Sequence, residues 1–294
     1  MSDATTTMPA LGFIGLGAMG SRMARRLLQA GYPLGVFDRS QEKVQPLAEQ
    51  GARTYESPRA LARDADVLMS SLADDAAVEQ VLLGFEGTLK EMHAGTTLID
   101  LSSVYPDTSR ALAAAGQARG VAVLDAPVSG STPQAADGSL IMFVGGDRNT
   151  YERCRPILDV VGQTSFYMGP NGAGSTMKLV ANALLGAEMQ ALAEAIALGE
   201  RAGLDREALL NTLGGTAVLT SGQKSKLENV RAGAYPVTFA LRLMWKDLGN
   251  VLRLAQACAV PMPVTAAAQQ VYAAEQARGI EEDFSAVIRT PIFM

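Results

Sequence analysis

The chain has 294 residues and a formal net charge of −5, with 48% hydrophobic and 19% charged residues. That composition supports a large core, argues against general disorder and, with no basic run, against a nucleic-acid surface. A single histidine (His93) and two distant cysteines (Cys154 and Cys258) exclude a His-rich metal site and predict two buried thiols rather than a disulfide.

Taken in chain order, residues 1–10 read as a frayed tail without a signal-peptide core. No apolar span of 18 residues follows, and the chain is read as cytoplasmic. From 11 to about 168, strands are predicted at 11–14, 34–38, 67–71, 97–101, 121–125, 140–145 and 164–168. Helices fill the gaps at 18–30, 41–50, 58–64, 75–83, 107–119 and 148–160, with His93 at the end of a surface helix. Ser57-Pro58 reads as an N-cap followed by a first-turn proline. Gly31, Gly51 and Gly120 stand where helices should stop. This alternation predicts an α/β fold with a doubly wound parallel sheet. After Gly169-Pro170-Asn171-Gly172-Ala173-Gly174 the pattern turns helical. Residues 173–202 form one Ala/Leu-rich helix ~45 Å long, followed by helices at 205–213, 222–232, 239–258 and 262–278. The expected organisation is a Rossmann domain over 1–168 and an all-helical substrate and oligomerisation domain over 169–294, joined by the long helix. Sparse charge on the helical half predicts a homo-oligomer, a homodimer or homotetramer.

Five constellations carry chemistry. The first is Gly15-Leu16-Gly17-Ala18-Met19-Gly20, after an apolar strand and before a helix. Gly15 permits the tight turn, Gly17 lets the backbone approach a pyrophosphate, and Gly20 lets helix and strand pack closely. Asp38, closing the next strand, stands where an acid reaches a ribose 2′-OH. That favours NAD over NADP, although Arg39 and Ser40 beside it are residues that accommodate a 2′-phosphate. The second is Asp100 to Pro106, which offers Ser103 to the coenzyme or a helix cap. Leu72 and Ala73, past the strand at 67–71, join the coenzyme set. The third is Asp125 to Ser131, where Ser129, Gly130 and Ser131 suit either an anion-binding nest for a carboxylate or an ordinary turn. The fourth is Lys178, near a helix N-terminus where the dipole disfavours a cation, with Asn182 on the same face. Its plain alternative is a snorkelling surface lysine. The fifth is Lys246-Asp247, a charged pair in an apolar helix, which either caps a pocket or forms a solvated stripe.

These motifs, in this order over 11–288, resemble the β-hydroxyacid dehydrogenase family, which includes 3-hydroxyisobutyrate dehydrogenase, tartronate semialdehyde reductase and the glyoxylate/succinic semialdehyde reductases. The resemblance implies that Lys178 is the catalytic residue. It implies that Ser129, Gly130, Ser131, Asn182 and Asp247 bind substrate, and that Lys246 lies near the nicotinamide. Two departures stand out. Paired asparagines in the catalytic helix are replaced by Ala181-Asn182-Ala183, and Asp38 stands where strict NADP members carry Asn. The expected reaction is reversible hydride transfer between a nicotinamide coenzyme and a small carboxylate-bearing hydroxy acid or semialdehyde. Lys178 would move the proton, with no metal and with no nucleic-acid or membrane partner. Two rivals, an imine reductase and a non-catalytic coenzyme-binding module, would both be expected to lack Lys178.

Overall fold

The computed structural model describes residues 8–279 and 281–289, so residues 1–7 of the expected tail lie outside the described residues. Two compact units divide the chain, one up to Lys178 and one from Leu179.

The first unit contains strands β1 (Leu11–Ile14), β2 (Leu34–Phe37), β3 (Arg53–Thr54), β4 (Val67–Ser70), β5 (Thr97–Asp100), β6 (Ala122–Asp125), β7 (Val128–Ser129), β8 (Leu140–Gly146) and β9 (Gly162–Gly169). Its helices are α1 (Gly20–Gln29), α2 (Gln41–Ala48), α3 (Pro58–Asp64), α4 (Asp75–Val78), α5 (Pro106–Gln117), α6 (Thr132–Asp137) and α7 (Arg148–Val161). The sheet runs β3-β2-β1-β4-β5-β6-β8-β7, with β9 beside β8. Pairing is parallel from β3 to β6, whereas β6–β8 and β7–β8 are antiparallel. The sheet is therefore not parallel throughout, because β8 returns against β6.

Side-chain alternation explains why helices cover both faces. Phe13, Met69 and Ile99 enter one apolar cluster with Met23 and Leu27 of α1 and Leu158 of α7. Their neighbours Ile14, Leu68 and Leu98 enter another with Leu61 of α3 and Leu112 of α5. Period-two alternation of buried residues on both faces is what a doubly covered strand requires. Burying each such large side chain is worth roughly 1.5–3 kcal/mol.

Several sequence expectations are corrected. The two-residue strands β3 and β7 and the short helix α6 had no readable period. The segment after α4 continues as a π-helical turn over Glu79–Leu83. A 3₁₀ turn, Thr88–Lys90, ends before His93, which sits exposed in a loop rather than at a helix end. Cys154 is buried as expected, but Cys258, at the surface end of a helix, is exposed. Ser57 does cap α3, accepting from the Ala60 amide, and Gly31, Gly51 and Gly120 all adopt positive φ.

Helix α8 (Ala173–Arg201) begins in the first unit; α9 (Arg206–Gly215), α10 (Ser221–Ala232), α11 (Leu241–Ala257) and α12 (Pro263–Ala277) belong to the second. An 18-residue window of α8 averages 1.2 in hydropathy, so the absence of such a span is also corrected. Length and composition alone give α8 that property. Its Met189, Leu192, Ala193 and Ile196 fill the second unit's core with Leu210, Leu227, Leu248 and Tyr272. Half of the window is buried.

A final 3₁₀ segment, Phe284–Arg289, contributes Phe284, Ala286, Val287 and Ile288 to that same core. Asp283 secures it. The carboxylate accepts from the amides of Thr238, Phe239 and Ser285 and lies 2.8 Å from Lys226 Nζ.

Candidate active site

The C-terminal ends of the parallel strands meet along one edge. Gly15 N–H donates to Phe37 O, Ser71 N–H to Ile14 O, Leu101 N–H to Ser70 O, and Ala126 N–H to Asp100 O. These bonds gather the loops after β1, β2, β4, β5 and β6 around the β1/β4 switch point, where open α/β sheets bind ligands.

The three glycines of the first loop divide by cause. A Cβ on Gly15, whose φ is +92°, would lie 2.3 Å from Ser71 O, and one on Gly20 would lie 1.9 Å from Gly15 O. The protein itself requires both. A Cβ on Gly17 would meet nothing within 4 Å among the described residues. Its open surface is what a pyrophosphate needs for close approach. Helix α1 starts beside it with Met19 at the N-cap and no side-chain cap, its Ser21 and Arg22 amides donating to Gly17 O and Met19 O; a helix start that no side chain covers is open to an anion. The loop therefore fits a dinucleotide.

Asp38 follows β2 on the same edge. One carboxylate oxygen accepts from Leu16 N–H at 2.7 Å and the other from Ser40 N–H at 2.9 Å. Lys43 Nζ lies 3.9 Å away. Arg39 is exposed, while the Ser40 hydroxyl donates to Glu42. Leu72 and Ala73 stand on the loop after β4, held where Leu72 N–H donates to Ser102 Oγ. Ser102 in turn donates to Asp100, which also accepts from Ser70. Burial pushes the Asp100 carboxyl up to about 6, with Asp125 on the next strand adding to the rise. Ser103 follows, half-buried. The helix after it is capped from elsewhere, because Asp75 accepts from Tyr105 N–H and Thr108 Oγ1.

Ser129 lies on β7, opposite Ile141 of β8. Gly130 has φ +129°. Ser131 caps α6, its amide and hydroxyl both donating to Gln134 Oε1. Two donors of the expected nest, the Ser131 amide and hydroxyl, are thus already engaged.

Lys178 is buried in the second turn of α8. The start of that helix has no acidic residue in its first turn. Its cap comes from the sheet instead. Asp125 accepts from Gly172 N–H through Oδ1 and from Ser175 N–H through Oδ2, each at 2.9 Å. Asn171 Nδ2 donates to Val123 O, and the hydroxyls of Ser109 and Ser175 lie 2.8 Å apart. These ties carry the first compact unit past 168 to Lys178. Sequence reading took Asp125 only as the head of the Ser129–Ser131 motif. The available signal was a helix opening on Gly172-Ala173-Gly174 with no local capping side chain.

In the second unit, Asn182 Nδ2 donates to Asp247 Oδ2 at 2.6 Å and Lys246 Nζ lies 3.0 Å from Asp247 Oδ1. The Asn182 amide nitrogen, not its oxygen, is the donor that faces this carboxyl oxygen. Asp247 is buried and is not part of a solvated stripe.

A switch-point loop shaped for a dinucleotide, followed by a helical unit, defines an NAD(P)-dependent oxidoreductase. Residues 10–169 match the NAD-binding domain of 6-phosphogluconate dehydrogenase, and residues 172–290 the NAD-binding domain of NADP-dependent 3-hydroxyisobutyrate dehydrogenase. The chain is 37% identical to 2-(hydroxymethyl)glutarate dehydrogenase of Eubacterium barkeri, over 95% of this chain and 93% of that protein. Against glyoxylate/succinic semialdehyde reductase 1 of Arabidopsis thaliana the identity is 35%, over 96% and 98%. The crystal structure of 3-hydroxyisobutyrate dehydrogenase from Salmonella typhimurium superposes with a TM-score of 0.87 at 31% identity, covering 95% of this chain and 99% of that one. The chain belongs to the β-hydroxyacid dehydrogenase family. Its cofactor is NAD(P).

Proposed function

We propose that this enzyme interconverts a small carboxylate-bearing hydroxy acid and its semialdehyde or keto acid, with Lys178 as general acid and base. The observation that carries the reading is a lysine buried on a helix start that the sheet holds in place. Similarity to a hydroxymethylglutarate dehydrogenase and to a glyoxylate/succinic semialdehyde reductase supports the substrate class.

The bound coenzyme supplies or receives the hydride at the carbonyl carbon. Lys178 Nζ gives a proton to the carbonyl oxygen during reduction and takes it back during oxidation. Ser129, Gly130 and Ser131 hold the substrate carboxylate, chiefly through the Ser129 hydroxyl, since Gln134 engages Ser131. Asn182 binds substrate with its amide orientation set by Asp247. Lys246 would contact the coenzyme, as the family resemblance implies. The test is oxidation of NADH and NADPH with glyoxylate, succinic semialdehyde, methylmalonate semialdehyde and a cyclic imine. Turnover confined to the imine, or none at all, would overturn the proposal.

NAD is the expected coenzyme, because the Asp38 carboxylate would repel a 2′-phosphate. Asp38→Asn is expected to move the ratio of kcat/KM toward NADPH by on the order of ten- to a hundredfold, the equivalent of about 1.4–2.8 kcal/mol. A wild type that turns over NADPH as well as NADH would contradict this. The exposed apolar residues Val180, Leu184 and Leu198 of α8 support a homodimer or homotetramer. Light scattering at micromolar concentration is expected to give that mass, and a monomer would refute it.

A further inference from the structure

We infer that Asp125 is a positioning residue for the reaction, acting on Lys178 through the start of α8. The inference rests on Lys178 being the proton carrier. Asp125 is 2% exposed, and its carboxylate is engaged at the start of α8. Oδ1 accepts from the Gly172 amide and, at 3.4 Å, from Asn171 Nδ2, and Oδ2 accepts from the Ser175 amide, so both oxygens serve the helix start. Lys178 stands one turn beyond Ser175 on the same helix. The negative charge also lies against the positive end of the helix dipole.

The surroundings are cut to this contact. A Cβ on Gly145 would lie 2.6 Å from Asp125 Oδ1. A Cβ on Gly174 would lie 2.3 Å from Phe143 O and 2.6 Å from Asp125 O. Both glycines let backbone close onto the carboxylate and its strand, where neither position has room for a methyl group. Burial raises the Asp125 carboxyl above its ordinary value, against the opposing effect of the Gly172 and Ser175 amides. A buried carboxyl needs its hydrogen-bond partners. A small displacement of a reacting group costs on the order of a hundredfold in rate.

Asp125→Asn keeps the shape and removes one acceptor, so one of the two amides then faces an NH₂ group. The expected result is a fall in kcat of about 10- to 100-fold. NADH affinity by fluorescence titration should stay within about twofold of wild type, because the Gly15–Gly20 loop is untouched. In the coenzyme-free protein, hydrogen exchange of amides within 172–178 should quicken while the β1–β4 strands keep their protection. The same substitution made in a Lys178→Ala background should change kcat by less than about threefold, since coupled residues are not additive.

A kcat within threefold of wild type, or unchanged exchange over 172–178, would overturn the inference. So would a full loss of rate repeated in the Lys178→Ala background. If Lys178→Ala itself keeps its kcat, the proton-carrier reading fails first, and the inference with it. Should Asp125→Asn not fold, Gly174→Ala lifts the same helix start while keeping the carboxylate. It should show the same kcat loss with coenzyme affinity retained, and a kcat like wild type would overturn the inference.

Discussion

Lys178→Ala is expected to lower kcat by about 10²- to 10⁴-fold, the usual contribution of a positioned acid–base group. The single histidine lies in an exposed loop of the first unit, so it offers no ready substitute. Coenzyme binding should survive, because the substitution leaves the Gly15–Gly20 loop proposed to hold the phosphates untouched. Lys178→Arg should be nearly as poor, since a guanidinium does not release its proton at working pH. Steady-state kinetics paired with an NADH titration separates these quantities. An alanine variant that keeps most of its kcat would remove the proposed mechanism and favour a coenzyme-binding module.

Gly17→Val should act in the opposite way, on binding rather than chemistry. Its Cβ enters open space, so the folded protein should accommodate the residue with a melting temperature close to wild type. The side chain would then occupy the surface a pyrophosphate approaches. Two lost hydrogen bonds to a charged group, each about 1.5–3 kcal/mol, weaken NADH binding by more than a hundredfold. Gly20→Ala provides the contrast. Its Cβ would fall 1.9 Å from Gly15 O. Overpacking of about 2–3 kcal/mol lowers the melting temperature by roughly 4–12 °C in a unit of this size. Calorimetry of the coenzyme-free variants distinguishes the two. A Gly17 variant that melts early, or that binds NADH normally, would contradict the division of roles among the three glycines.

What could be read from the residues follows from how local each signal is. The loop from Gly15 to Gly20 and the acid at 38 were legible because strand, turn and helix carry their own periods within one βαβ unit. Asp38 reaching back to the Leu16 amide was not, since that contact depends on two strands lying side by side. Residues 128–129 are too short to display alternation, and so β7 read as part of a turn. Ser131 looked free to bind an anion, and only the folded α6 reveals that Gln134 engages it. Asp125 and Asp247 have the same explanation: each serves a helix or side chain distant in sequence, and pattern reading has no access to such a partner.

The two units differ in when they can be completed during synthesis. Every strand of the nine-stranded sheet has been made once Gly169 is added. The second unit is different, because Phe284–Ile288 fill its core and Asp283 neutralises the half-buried Lys226. Roughly 100 residues separate Leu179 from this closing segment, or about 5–20 s of translation. Throughout that interval α8, α10 and α11 would carry an uncovered apolar face on the nascent chain. The Rossmann unit can fold while the ribosome is still at work, and the helical unit must wait, which makes that interval the one in which a chaperone would be needed most.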